Sequence, residues 1–167
     1  MSTTNSLLAL VVFSLLAAVA PPASAAPTDA CALVTQAQVS AALGVPVAAG
    51  TYVTPSYTKT CTFTPSSGAT ADVKALTISL QDASGYQTGK QLMAAAAVRE
   101  GKDPSQLAGS ASGIGDDAYY TTMGAGYTGL MVKEGNSALK IAIYGNLAAD
   151  KKKAVEKAIA LQAVMNM

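Results

Sequence analysis

The residues best suited to chemistry in this chain are two adjacent carboxylates, Asp116 and Asp117. They stand behind two glycines and ahead of two tyrosines in Ser112-Gly113-Ile114-Gly115-Asp116-Asp117-Ala118-Tyr119-Tyr120. Paired carboxylates can hold calcium or share a proton. Two features weigh against both here. Adjacent residues at the start of a strand point in opposite directions, so only one of the pair faces any given site. No Asp-x-Asp-x-Asp-Gly loop surrounds them. Gly113 and Gly115 let the backbone take conformations closed to other residues, and Tyr119 and Tyr120 offer amphipathic contact surface. The candidate binding residues are therefore Gly113, Gly115, Asp116, Asp117, Tyr119 and Tyr120. The alternative is a turn or cap followed by ordinary strand packing.

Other catalytic patterns fail on composition or context. The chain has no histidine, so no Ser-His-Asp or Cys-His arrangement can exist, and the common catalytic zinc sites lose their usual ligand. Ser-x-x-Lys occurs at Ser56–Lys59 and Ser137–Lys140. Neither copy opens a helix, and the partner motifs of serine–lysine enzymes are missing. Gly124-Ala125-Gly126-Tyr127-Thr128-Gly129 spells a dinucleotide pattern, but a strand follows it where a helix is required, which makes it a hairpin. The sequence thus predicts no metal and no cofactor. It points to a non-catalytic binding or structural module. A carboxylate-dependent hydrolase using Asp116 or Asp117, and a secreted protein inhibitor, are the alternatives.

The elements that would carry these residues begin after a leader. Leu7–Ala20 is apolar except for Ser14, then come Pro21-Pro22 and Ala23-Ser24-Ala25. The run is shorter than the roughly 20 residues a membrane-spanning helix needs, and it fits a secretory signal peptide over residues 1–25, cut after Ala25. The absence of Lys and Arg from Met1–Ser6 departs from the usual pattern. Residues 26–30 read as a tether and 31–167 as a single domain. Export places the two cysteines, Cys31 and Cys61, in an oxidising compartment, where they pair. Their loop of about 30 residues contributes about 3.5 kcal/mol by chain entropy. Thr28-Asp29-Ala30 before Cys31 is no lipobox, so a secreted or periplasmic protein without a lipid anchor is expected. Charge nearly balances, with 11 Lys+Arg against 10 Asp+Glu, and Arg99 is the sole arginine. That balance excludes the basic excess of nucleic-acid binders. Lys151, Lys152, Lys153 and Lys157 read as the solvated face of a helix.

Thr35 with Gln38 forms a capping box, flanked by Val34 and Val39 as a staple, for a helix from Gln36 to about Leu43 that stops at Gly44. Strands are expected at Val47–Val53, Thr58–Thr64 and around Leu76, Ile78 and Leu80, with a turn at Pro65-Ser66-Ser67-Gly68. Gly85–Gly89 reads as a break before a helix from Lys90 to Glu100. Asp103–Gly113 reads as a polar loop. Ala118–Met123, Tyr127–Lys133 and Ser137–Tyr144 form a meander with turns at Gly124-Ala125-Gly126 and Glu134-Gly135-Asn136. A closing helix spans Ala148–Met165. The prediction is an α+β domain, order α-βββ-α-βββ-α. It has a mainly antiparallel sheet of about six strands, helices on one face, and a possible remote duplication of its halves.

The residues Cys31-Ala-Leu-Val-Thr35, Leu43-Gly44-Val45-Pro46, Cys61 and Gly113-Ile114-Gly115-Asp116-Asp117-Ala118-Tyr119 resemble a group of exported bacterial proteins and lipoproteins that carries no assigned activity. The resemblance covers nearly the whole chain after the leader. It implies export, a disulfide and a compact domain, and no activity. The expected partner is an envelope or extracellular protein or glycan, with no nucleic acid and no stable membrane insertion.

Overall fold

The computed structural model describes residues 26–66, 72–103, 109–122 and 127–167. The leader and the turns expected at Ser67-Gly68 and Gly124-Ala125-Gly126 lie outside them. A 3-10 turn at Ala30–Ala32 leads into helix α1, Gln36–Leu43. The capping box forms: Thr35 Oγ1 accepts from the Gln38 N–H at 3.2 Å, and Gln38 Oε1 accepts from the Thr35 N–H at 2.7 Å. Gly44, at φ 69°, ends the helix in the left-handed region.

Six strands follow: β1 Thr51–Tyr52, β2 Thr60–Phe63, β3 Val73–Asp82, β4 Asp117–Thr122, β5 Tyr127–Glu134 and β6 Ser137–Gly145. They form one antiparallel sheet in the order β1-β2-β3-β6-β5-β4. Helix α2, Ala83–Arg99, carries the chain from the sheet's centre to its far edge, and the β4–β5–β6 meander brings it back beside β3. Helix α3, Ala149–Val164, closes the domain. The predicted α+β class and antiparallel sheet are what forms.

Strand alternation gives the sheet two unlike faces. One row runs Cys61, Ile78, Ile141, Leu130, Tyr120, and its neighbours are Phe63, Leu76, Ile143 and Leu80, Leu139, Val132, Ala118. These residues form the main core with Val39 of α1 and Ile159, Ala160 and Ala163 of α3. The opposite face carries Thr60, Ser79, Lys140, Met131 and Tyr119 in one row and Thr62, Thr77, Ala142, Gly129 and Thr121 in the next. There Tyr86 of α2 packs with Tyr119, Met131 and Ala138 in a second small core. The helices therefore do not share one face, as the sequence suggested. Two lie on the apolar face, and α2, which crosses between the non-neighbouring strands β3 and β4, lies on the polar one.

Three further expectations change. Gly85–Gly89 is no break. Asp82 accepts from the Gly85 N–H at 2.8 Å and from the Ser84 hydroxyl at 2.7 Å, which starts α2 seven residues before Lys90. Glycine costs a helix about 1 kcal/mol relative to alanine, but a Cβ on Gly89 would stand 2.9 Å from the Tyr119 hydroxyl, so close packing selects it. The expected strand at Val47–Val53 shrinks to Thr51–Tyr52, with Val47 bridging Pro65. Here the chain passes over the disulfide, and a Cβ on Gly50 would sit 2.5 Å from Cys61 Sγ. Finally, Lys151, Lys152, Lys153 and Lys157 do not form one solvated face. Lys152 is 1% exposed and its Nζ donates to the Gly145 carbonyl at 2.8 Å. Lys152, Glu156, Ile159, Ala160 and Ala163 make the stripe that helical spacing turns toward the sheet.

Cys31 and Cys61 are bonded, with Cα atoms 5.0 Å apart. Among the described residues no helix is long and apolar enough to cross a membrane.

Candidate functional site

The predicted stretch from Gly113 to Tyr120 divides between different tasks. Gly113 (φ 78°) and Gly115 (φ 55°) occupy the left-handed region that favours glycine. Gly115 is also hemmed in, since a Cβ there would lie 2.5 Å from the Lys133 carbonyl oxygen. Asp116 latches the β5–β6 turn: its Oδ2 accepts from the Gly135 N–H at 2.9 Å and from Lys133 Nζ at 3.0 Å. Those hydrogen bonds, the Lys133 one foremost, hold its carboxyl below the usual carboxylate range.

Asp117 leaves the strand on the α2 side and pairs with Lys90 Nζ at 2.6 Å. Burial pushes its pKa up, but the hydrogen bond and charge of Lys90 outweigh that and hold it below the usual range. The two carboxylates take different lysines, Asp116 that beside the β5–β6 turn and Asp117 that of α2, and so share no site. Tyr119 also lies on the α2 side. It is 2% exposed, with its ring 5.1 Å from that of Tyr86 in an edge-on contact. Burial, then the Asp117 charge, raises the Tyr119 phenol. Burial raises Tyr86 far above the ordinary phenol value, with Asp117 adding to it. The Tyr86 hydroxyl is buried without a hydrogen-bond partner of normal geometry. Tyr120 points the other way. Its hydroxyl donates to the Lys153 carbonyl at 3.2 Å, and Lys153 Nζ lies 5.5 Å from the ring centre. Tyr119 and Tyr120 therefore cannot contact one ligand together.

What Tyr119 does line is a groove of about 310 Å³ between α2 and the polar face of the sheet. Tyr119, Thr121, Met131 and Lys140 form its floor, Leu92 and Met93 its wall, and Gln81 one end. Gly85 and Gly89 bring the helix backbone down to it. Leu92 is 67% exposed, an apolar side chain standing open beside the groove. Lys140 Nζ lies 5.3 Å from the Tyr127 ring centre, and among the described residues no carboxylate reaches it. Among the described residues Gln81 Nε2 donates to the Met131 thioether alone, at 4.0 Å, and a thioether is a weak acceptor. The groove can thus offer an apolar bed, one cation and one underused amide.

The sequence reading found Tyr119 and missed the rest. The signal was present in part, because Lys140 falls on the face of β6 opposite Leu139, Ile141 and Ile143. Treating Gly85–Gly89 as a break removed the turn of α2 that brings the helix backbone down onto the groove.

A second arrangement was invisible in the sequence. Glu156 of α3 is fully buried, and its Oε1 accepts from the Thr128 hydroxyl at 2.8 Å while Oε2 has no hydrogen-bond partner of normal geometry among the described residues. Burial raises its pKa to about 7. The Thr128 hydrogen bond, the Ile143 backbone and the charges of Lys152 and Lys153 pull the other way. Tyr120 of β4 also feels its charge. No protein-family model matches the chain, nor does any curated protein or any solved structure, so the chemistry of both places stands on their own residues.

Proposed function

We propose that the chain is an exported, non-catalytic binding module of the cell envelope or the extracellular space, and that it takes its ligand in the groove between α2 and the polar face of the sheet. One observation carries the reading: among the described residues no carboxylate pairs with Lys140, a half-buried lysine on the floor of a groove whose lining includes Met131, Met93, Leu92 and Tyr119. Ligand sites of this kind combine an apolar lining with a few placed polar groups. Export is supported by the apolar run Leu7–Ala20 with Ala23-Ser24-Ala25 behind it, and by the closed Cys31–Cys61 disulfide, which persists in oxidising compartments. Absence of catalysis is supported by the state of the two carboxylates. Asp116 is occupied by a turn, Asp117 by Lys90, and both are held below the range of an acid or base working near neutral pH.

The test is an NMR titration of the mature, disulfide-bonded chain with peptide, glycan and lipid fractions of the envelope. Amide shifts should gather at Gln81, Met93, Met131 and Lys140, and Leu92→Arg should abolish them. Shifts centred elsewhere would move the site. Hydrolysis of a fraction that disappears in Asp117→Asn would replace the binding reading with the hydrolase one.

A further inference from the structure

We infer that the groove is a site for a small apolar carboxylate, with the carboxyl group held by Lys140 and Gln81 and the hydrocarbon body lying on Met131, Tyr119 and Leu92. The inference rests on the groove being the binding surface and goes on to name what it takes.

Charge gives the sign of the ligand. Lys90 and Lys133, the lysines nearest to the candidate stretch, are neutralised by Asp117 at 2.6 Å and Asp116 at 3.0 Å. Among the described residues Lys140 has the face of Tyr127 at 5.3 Å and no anion, and a ring contact leaves the ammonium's donors free. A half-buried ammonium with free donors beside an apolar groove favours an anionic group on whatever the groove takes.

Geometry gives the headgroup. Gln81 is paired across the sheet with Ala138, and Lys140 with Ser79. The two side chains are therefore diagonal neighbours on one face, close enough for long side chains to meet. A carboxylate has two oxygens and one charge, so it can accept from the Lys140 ammonium with one oxygen and from the Gln81 amide with the other. A phosphate dianion would leave half its charge without a partner. The amide's present partner, the Met131 thioether at 4.0 Å, is easily given up.

The lining gives the tail. Met93 and Met131 are unbranched and polarizable and adapt to varied apolar shapes. The floor and wall carry few acceptors for the hydroxyls of a sugar, and Thr121 already donates to the Gly129 carbonyl at 3.2 Å. A volume of about 310 Å³ lies at the small end of ligand pockets, which fits a short acyl or aryl acid rather than a long-chain lipid.

The experiment is calorimetry on the mature, disulfide-intact chain with octanoate, octanol and octylamine, each below its micelle concentration. Octanoate should bind saturably at one site, octanol at least tenfold more weakly, and octylamine more weakly still. Lys140→Gln should bring octanoate down to the octanol level, and Lys140→Arg should stay within about threefold of the parent. Gln81→Leu, which does not touch the charge, should weaken octanoate several-fold and octanol not at all. Circular dichroism and the intact disulfide verify folding of each variant. If octanoate and octanol bind equally well, or Lys140→Gln binds octanoate like the parent, the carboxylate inference is overturned while an apolar binding groove survives. If none of the three probes binds, the inference is also overturned, and the binding-module reading is judged by the envelope titration alone.

Discussion

Glu156 gives the sharpest quantitative expectation. Its carboxyl is fully buried between α3 and the sheet, with one oxygen on the Thr128 hydroxyl and the other without a hydrogen-bond partner of normal geometry among the described residues. Its pKa rises from 4.5 to about 7. The folded protein therefore binds a proton at pH values where the unfolded chain has released it. The resulting stabilisation is fully present below about pH 4.5, declines as pH rises, and is gone above about pH 7. Each pKa unit corresponds to about 1.4 kcal/mol, so the swing is roughly 3 kcal/mol, or on the order of 10 °C in Tm for a domain of this size. Glu156→Gln keeps an acceptor for Thr128 and cannot ionise. Its denaturant midpoint should match the parent near pH 4.5 and exceed it at pH 8, with the difference opening between those values. Guanidinium unfolding of both proteins, followed by circular dichroism with the disulfide intact, reads this directly. A difference between parent and variant that is constant from pH 4.5 to 8 would refute the burial argument. So would a variant less stable than the parent at pH 8.

Other perturbations follow from the same packing. Gly89→Ala should gain about 1 kcal/mol of helix propensity but lose it against the Tyr119 hydroxyl, 2.9 Å from the new methyl. In a Tyr119→Phe background the same substitution should be stabilising, and a double-mutant cycle by urea unfolding that proved additive would deny the contact. Gly115→Ala forces a methyl against the Lys133 carbonyl in a left-handed conformation, so a loss of about 2 kcal/mol or more is expected; an unchanged melting curve would contradict it. Replacing Cys31 and Cys61 together by alanine should cost about 3.5 kcal/mol, and mass analysis of the native chain should find no free thiol. Asp116→Ala should loosen the β5–β6 turn, seen as faster hydrogen exchange at Gly135, while Asp117→Ala should leave that amide unchanged.

Sequence periodicity was most informative where one physical cause acts alone. The Thr35–Gln38 box, the Gly44 stop and the alternation of Leu139, Ile141 and Ile143 each depend on local geometry, and each formed. Reading failed where a distant contact decides. Gly89 looks like a breaker until Tyr119 is known to lie under it, and Gly85 until Asp82 is known to cap the helix there. Lys152 and Glu156 look like a charged surface until α3 is rotated onto the sheet, where their spacing with Ile159 and Ala163 puts them inside. Alternation along β4 separates Tyr119 from Tyr120, whose hydroxyl is taken up on the other face by the Lys153 carbonyl.

The groove itself follows from topology. A chain that leaves β3 at the centre of the sheet and must re-enter at β4, the far edge, has to cross β6 and β5 on one side. The apolar side is occupied by α1 and α3, which bury its aliphatic rows. The crossing helix therefore lies on the polar side, where Tyr86 packs on a small apolar cluster of Tyr119, Met131 and Ala138. Such a helix can seal one end of that face and no more. Beyond it, Lys140 and the threonines of β2 and β3 stay within reach of solvent, and Leu92 stands over the gap. An apolar wall meeting a half-buried cation is thus the direct product of one crossover over a two-faced sheet, and it is there that a bound molecule would complete the packing the chain leaves open.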